Sequence, residues 1–365
     1  MTITELLRTP LHSEHLRLKA LMAPFGGWDM PIRYEGILAE HGQARRAAAL
    51  FDISHMGEFL IRGGGEDSGL ERIFTARLYD MPAGTSRYGV MCNAQGGVVD
   101  DCIIFRIDQE TWFMVVNGAT IAKDAAHVRE HLASPDFLTD VSEQTGKLDL
   151  QGPLARDVLR DLIPGVSRLG YFEFDEFVLL GEKALVSRTG YTGELGYEIF
   201  YPGNKTAALW KALLDDARVK PAGLGARDLL RLEMGYSLYG HELSDELTPL
   251  ESGLGRFVDF EKDFIGKEAL LSRKEKGLPR KIIGLVSDSR RAPREGHKIF
   301  DGRRQEAGRV TSGGFSPVLN AGIGLALVRS DVAVPGTAIY FGDGDKTYPG
   351  RIHSRLFYRG GSAKD

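Results

Sequence analysis

Arg273-Lys274-Glu275-Lys276-Gly277-Leu278 separates two parts of the chain with different patterns. Residues 267–271 before it carry helical spacing, residues 281–286 after it read as a strand, and the charged run with its glycine marks a boundary. Downstream, short apolar runs alternate with turns at Asp301-Gly302, Ser312-Gly313-Gly314 and Gly342-Asp343-Gly344. That pattern predicts a small β-barrel or sandwich of about 85 residues. Upstream, the hydrophobic period changes repeatedly between 3.6 and 2. Helices are predicted over 37–50 (Ile37, Leu38, Ala44, Ala47, Ala48 and Leu50 apolar), 119–132 and 207–217, with strands over 59–61 and 98–105. No regular βαβ rhythm and no internal repeat is visible, so the class is α+β with antiparallel sheets, divided as 1–275 and 276–365.

Composition narrows the function classes. Of 365 residues, 42% are hydrophobic and 26% charged, the balance of a chain that folds and buries cores. Net charge is −4, with no basic excess to neutralise phosphates, so nucleic acid is not the expected partner. Glycine reaches 45 residues, about 12% against a usual ≈ 7%, which points to many tight turns. Only Cys92 and Cys102 occur, too few for a disulfide framework and without zinc spacing, so a reducing setting is expected and no metal. Residues 1–8 place Glu5 and Arg8 where an export signal needs an apolar core, and no Arg- and Ser-rich leader precedes them. No uncharged apolar run approaches ≈ 18 residues, so no membrane span is expected and the localisation read from sequence is cytoplasmic.

No P-loop, zincin or nucleophile-elbow motif is present, and Gly223-Leu224-Gly225-Ala226-Arg227-Asp228 lacks the third glycine of a dinucleotide fingerprint. Three clusters stand out instead. In Gly96-Gly97-Val98-Val99-Asp100-Asp101-Cys102-Ile103-Ile104-Phe105 two adjacent carboxylates sit in an apolar strand. Alternation puts Asp101 with Val99, Ile103 and Phe105, and Asp100 with Val98, Cys102 and Ile104, so at least one needs a polar partner. The alternative is that both belong to the hairpin after Gly96-Gly97. In Arg188-Thr189-Gly190-Tyr191-Thr192-Gly193-Glu194-Leu195-Gly196-Tyr197-Glu198-Ile199, glycines among aromatics suit a turn against a flat ligand. Glu198 there either reads N–H donors of an amino-pyrimidinone ring or forms an exposed cross-strand salt bridge. In the segment from Arg227 to Gly240, Leu229, Leu232 and Tyr236 follow helical spacing. Arg227 either favours an anion at the helix start or sits on a solvated face where Asp228 and Arg231 pair.

These clusters, together with Phe25-Gly26-Gly27-Trp28-Asp29-Met30-Pro31, Leu50-Phe51-Asp52-Ile53-Ser54-His55-Met56, Leu150-Gln151-Gly152-Pro153, Phe264-Ile265-Gly266-Lys267-Glu268 and Thr311-Ser312-Gly313-Gly314-Phe315-Ser316-Pro317, run in order through nearly the whole chain. The chain resembles the glycine-cleavage T-protein family, tetrahydrofolate-dependent aminomethyltransferases. The resemblance implies a multi-lobed folate-binding aminomethyltransferase fold: two intertwined α+β lobes in 1–275, a C-terminal β-barrel in 276–365, and a folate site in the channel between them. It implies Asp101 as the essential acid, overturning the hairpin alternative, and Met56, Tyr88, Asn117, Glu198, Arg227 and Tyr239 as folate contacts. Tyr171, Phe172 and Arg294 are added around the channel on aromatic or charged character. The family's C-terminal Pro-Phe-Val stretch is replaced by Arg355-Leu356-Phe357-Tyr358-Arg359, and the Lys-Gly-Cys motif of related iron-sulfur maturation factors is missing beside Lys267.

The implied reaction carries the methylene carbon from the aminomethyl-dihydrolipoyl arm of a lipoylated H-protein to tetrahydrofolate, with release of ammonia and formation of 5,10-methylenetetrahydrofolate. Carbon–sulfur cleavage and amine departure pass through cationic character, which a fixed carboxylate stabilises. With an ordinary pKa near 3.9, Asp101 is expected to be anionic unless burial raises it, so its expected role is electrostatic. A folate-dependent demethylase and a non-catalytic folate-binding protein are the competing readings.

Overall fold

The structure, a computed structural model, describes residues 5–64, 67–344 and 346–365. The first four residues of the stretch 1–8, on which the expected absence of an export signal rests, lie outside the described residues.

Two large sheets, a two-stranded hairpin of Leu21–Phe25 with Trp28–Arg33, and a barrel make up the strand framework of the described residues. The first sheet orders its strands Phe174–Leu179, Glu182–Ser187, Gly196–Pro202, Thr145–Gln151, Ala48–Asp52 and Val219–Pro221. Its last pair, Val219–Pro221 beside Ala48–Asp52, is parallel, the one departure from the expected antiparallel pairing in this sheet. The second sheet orders Thr85–Cys92, Val98–Arg106, Thr111–Val116, Gly57–Arg62 and Leu138–Asp140. All of it lies within the chain between two adjacent strands of the first sheet. Phe105 meets Phe174 and Phe200, and Phe113 meets Phe200, edge-to-face at 5.1–5.6 Å, joining the two sheets by a buried aromatic knot. Residues 280–353 close the expected barrel of six antiparallel strands around Leu285, Ile299, Val310, Ala326, Ile339 and Phe341. Among the described residues no helix is long and apolar enough to cross a membrane.

Four local expectations are corrected. The helix starting at Ile37 ends at Arg46, and Ala48–Asp52 is a strand buried at every position. A run of consecutive apolar residues satisfies both periods, and burial on both faces decides for the strand. Arg273 to Lys276 belong to the helix Lys267–Lys276 rather than to a linker, and only Gly277 to Pro279 separate it from the strand Arg280–Ser287. Ser312-Gly313-Gly314 is no turn but part of the strand Glu306–Ser316. A Cβ on Gly313 would stand 2.3 Å from the Pro293 carbonyl oxygen, so glycine there permits close approach. Tyr236 lies beyond the helix Leu224–Met234, whose end is set by left-handed Gly235 at φ 67° and by the Tyr236 N–H donating to the Arg231 carbonyl.

The barrel is fastened to the rest by a buried charge network. The side chain of Arg231, 1% exposed, donates to Asp228, to Glu242 at 3.0 Å and to Ser312 Oγ at 2.8 Å. Glu242 also accepts from the Thr311 and Ser312 hydroxyls, and Glu233 accepts from Ser316. The Asp228–Arg231 pairing expected from spacing exists, but Arg231 points into the interior, so this is no solvated helix face.

Candidate active site

The hairpin Asn93 to Gly97 turns the chain from Thr85–Cys92 into Val98–Arg106, and both acids lie inside the second strand. A bulge breaks the alternation: Cys92 faces Val98, whereas Met91 faces Asp100 and Val90 faces Asp101. Val98 therefore joins Val90 and Cys92 on the Asp101 side, and Val99 joins Met91, Cys102 and Ile104 on the Asp100 side. That reverses the assignment of the two valines expected from a regular strand.

Both carboxylates reach the same amide at the end of the neighbouring strand. Asn117 Nδ2 donates to Asp100 Oδ1 and Asp101 Oδ1, each at 2.8 Å. Asp100 further accepts the Asn117 backbone N–H and the Thr120 hydroxyl, both at 3.0 Å, while the Tyr88 hydroxyl donates to Asp101 at 2.9 Å. Asp100 is fully buried and Asp101 half-buried. Burial, with the adjacent Asp100 charge, pushes the Asp101 carboxyl up to about 7 against the pull of Tyr88 and Asn117. The expectation of an ordinary, fully ionised carboxylate is thereby revised: Asp101 is poised to gain and lose a proton near neutrality.

A second group forms on the first sheet. Glu198 and Asp149 face each other across adjacent strands, and Lys147, two residues before Asp149, lies on the same face. Lys147 Nζ bonds Glu198 Oε1 at 3.0 Å and approaches the Met56 sulfur at 3.6 Å. Thr189 Oγ1 donates to Glu198 Oε2 at 2.5 Å, and Arg227 pairs with Asp149. Burial alone would raise the Glu198 carboxyl, but Lys147, Thr189 and Arg227 outweigh it and hold it below the usual carboxylate range. The cross-strand salt bridge considered for Glu198 exists, but it is buried. The Arg227 guanidinium also lies over the Tyr191 ring at 5.0 Å. Tyr191 feels the charges of both Asp101 and Arg227, so it links the two groups.

Tyr88, Asp101 and Asn117 thus meet in one group and Met56, Glu198 and Arg227 in the other, with Tyr191 interacting with Arg227 on one side and with Asp101 and Tyr88 on the other. Tyr239 stands at the flank: its hydroxyl accepts from Lys123 Nζ, which donates to the Val99 carbonyl, and donates to Asp245 at 3.1 Å. Phe172 and Tyr88 line one open cleft of about 700 Å³, with Arg256 and Phe257 on its wall. Tyr171 is exposed and hydrogen-bonded to Tyr236, which stacks on Tyr191. Arg294 is exposed on the barrel and enters none of these bonds. Sequence reasoning missed Lys147, Asp149 and Asp124. Lys147 and Asp149 alternate with Leu148 and Leu150 as the polar face of any half-exposed strand would, and only the second buried face reveals them.

The GCVT N-terminal domain model matches residues 11–262, and the glycine cleavage T-protein C-terminal barrel domain model matches residues 280–359. An aminomethyltransferase of Geobacillus kaustophilus is 43% identical over 362 residues, 97% of this chain and 99% of that one. An aminomethyltransferase of Halothermothrix orenii is 42% identical over 337 residues, 91% of this chain and 94% of that one. Among solved structures, the glycine cleavage system aminomethyltransferase T from Bartonella henselae superimposes with a TM-score of 0.91 at 32% identity, covering 98% of this chain and 99% of that one.

Proposed function

We propose, from the premise that the chain belongs to the glycine cleavage T-protein family and is an aminomethyltransferase of the glycine cleavage system, that its co-substrate is tetrahydrofolate and its donor the aminomethyl-dihydrolipoyl arm of H-protein. The observation that carries the residue assignment is Asp101, a half-buried carboxyl fixed by Tyr88 and Asn117 with its pKa brought to about 7. The donor set fits a pterin: Glu198 is an ionised carboxylate held from behind by Lys147 and Thr189, able to accept ring N–H bonds, with Asn117 and the Arg227–Tyr191 stack nearby. When bound, tetrahydrofolate supplies the amine nitrogens that accept the carbon.

Asp101 orients the attacking amine and steadies the cationic carbon as the carbon–sulfur bond opens. It then takes a proton from that nitrogen and passes it on. Of the two N–H protons that leave the folate, one ends on the departing ammonia and one on the sulfur, so the dihydrolipoyl arm leaves as a dithiol. Ligand binding is assigned to residues 1–275, with 276–365 closing the channel. The two free, buried cysteines support a reducing, cytoplasmic setting. The names of the relatives favour this donor over a methylated small molecule.

Aminomethyl-loaded H-protein plus tetrahydrofolate is expected to give ammonia and 5,10-methylenetetrahydrofolate together. Folate binding without either product would sink the reading. Because Asp101 must be ionised to receive a proton, the single-turnover rate is expected to rise with pH through about 7 and level off above. A rate that is flat between about pH 5.5 and 9 would remove Asp101 as proton acceptor.

A further inference from the structure

We propose that Asp124 is a positioning residue that stores one proton and, by donating it to Asp100, keeps Asp100 ionised beside Asp101. The consequence for turnover rests on the function proposed above, whereas the location of the proton does not. Asp124 lies in the first turn of the helix Ile121–His131 and is fully buried. Asp100 has three donors, the Asn117 backbone N–H, Asn117 Nδ2 and the Thr120 hydroxyl. Asp101 has two, Asn117 Nδ2 and Tyr88. Among the described residues the donor nearest the Asp124 carboxylate is the Thr120 hydroxyl, whose single proton is shared with Asp100 and the Asn117 carbonyl, and neither Asp124 oxygen holds a hydrogen bond of its own.

The groups facing Asp124 are Asp100 and Cys102 from the strand Val98–Arg106, Tyr239 from the loop following the helix Leu224–Met234, and Lys123 and Thr120 beside it. None of them neutralises it. Lys123 is the only cation in this group, and its Nζ is spent on the Val99 carbonyl at 2.6 Å, on Tyr239 and on Asp245 at 3.3 Å. A buried carboxylate with no counter-ion and no donor beyond one shared hydroxyl is strongly disfavoured, and protonation turns it into a donor. The acceptor within hydrogen-bonding reach is Asp100. In agreement, burial and then the Asp100 charge push the Asp124 carboxyl up to about 10, while Asp100 is raised by burial and drawn only part of the way back by the Asp124, Asn117 and Thr120 bonds.

An ionised Asp100 is the like charge that lifts Asp101 toward neutrality. Without the Asp124 donor, Asp100 takes up a proton from solvent, which removes that charge and lets Asp101 ionise at lower pH. Two substitutions separate this from a packing role. Asp124→Asn keeps a neutral donor and is expected to leave the acid limb of the pH–rate profile in place. Asp124→Ala removes the donor and is expected to move that limb down by about one pH unit.

Infrared spectra read the proton without turnover. The wild-type minus Asp124→Asn difference at pH 8 is expected to show one protonated-carboxyl band, and in Asp100→Asn that band is expected to disappear at lower pH than in wild type. No band in the difference, a band indifferent to Asp100→Asn, or an acid limb unmoved in Asp124→Ala overturns the proposal. Failure of wild type to release ammonia and 5,10-methylenetetrahydrofolate would instead sink the proposed function, and the infrared result would still decide where the proton resides.

Discussion

Asp101→Asn is expected to lower turnover by roughly 10² to 10⁴ while keeping the fold and most folate affinity. The amide keeps the carboxylate's shape and one acceptor oxygen, so a bond from Tyr88 or Asn117 survives. The charge and the proton-accepting capacity are lost. The same substitution is expected to raise thermal stability at pH 8. The folded-state pKa of Asp101 lies above its unfolded value, so ionisation opposes folding: the penalty is absent below about pH 4, grows as pH rises, and is complete above about 7. Removing it is worth on the order of 1–3 kcal/mol, because Asp100 shares part of the shift. Single-turnover rates and melting curves at pH 5 and 8 test both parts. Unchanged turnover would take Asp101 out of the mechanism, and equal melting temperatures at pH 8 would take its carboxyl out of the neutral range.

The largest purely structural loss is expected at Arg231→Met. Arg231 is the one side chain that ties Asp228, Glu242 and Ser312 together, and Glu242 is fully buried. Without the guanidinium, Glu242 keeps only hydroxyl and backbone donors, and the nearby Arg355 guanidinium, which is hydrogen-bonded to the Ser252 and Gly235 carbonyls instead, is left as the cation that balances its buried charge. Breaking a buried pair in this way costs about 3–5 kcal/mol. Roughly 5–10 °C of melting temperature is expected to go with it, with the barrel loosening from the helix Leu224–Met234. The exposed pair Lys298–Glu306 at 2.7 Å is the control: Lys298→Met is expected to change stability by less than about 1 kcal/mol. Similar melting temperatures for the two variants would mean that the network carries no net load.

The barrel was legible because its apolar runs are punctuated by the turns at Asp301-Gly302 and Asp343-Gly344, a local signal, although the strand through Ser312-Gly313-Gly314 runs on for 11 residues. The Asp100–Asp101 pair was legible because two carboxylates inside an apolar run are anomalous wherever they occur, whereas only the family resemblance singled out Asp101 from the two. Asp124 was not legible, since one acid on an amphipathic helix looks solvated until a buried strand is packed against it. The boundary at Arg46 failed for a related reason: Ala47 to Leu50 are compatible with both periods, and only neighbours distant in sequence choose between them. Gly313 misled in the opposite direction, its freedom serving the close passage of the Pro293 carbonyl rather than a turn. In each case the missing information was the identity of a contact across the chain.

The placement of the second sheet within the first has a consequence for how the chain reaches its fold. Asp52 and Leu148, neighbours in the first sheet, stand about 96 residues apart in sequence. Bringing such distant strands together carries a closure entropy that grows with the logarithm of the loop. The intervening sheet, however, begins and ends on adjacent strands, with Phe59 paired to Asp140. Once it has formed, the loop left to close shrinks to about fifteen residues, a saving of about 1.5–2 kcal/mol. The inserted lobe is thus a splint: its own ends hold the two broken edges of the first sheet in register before that sheet exists.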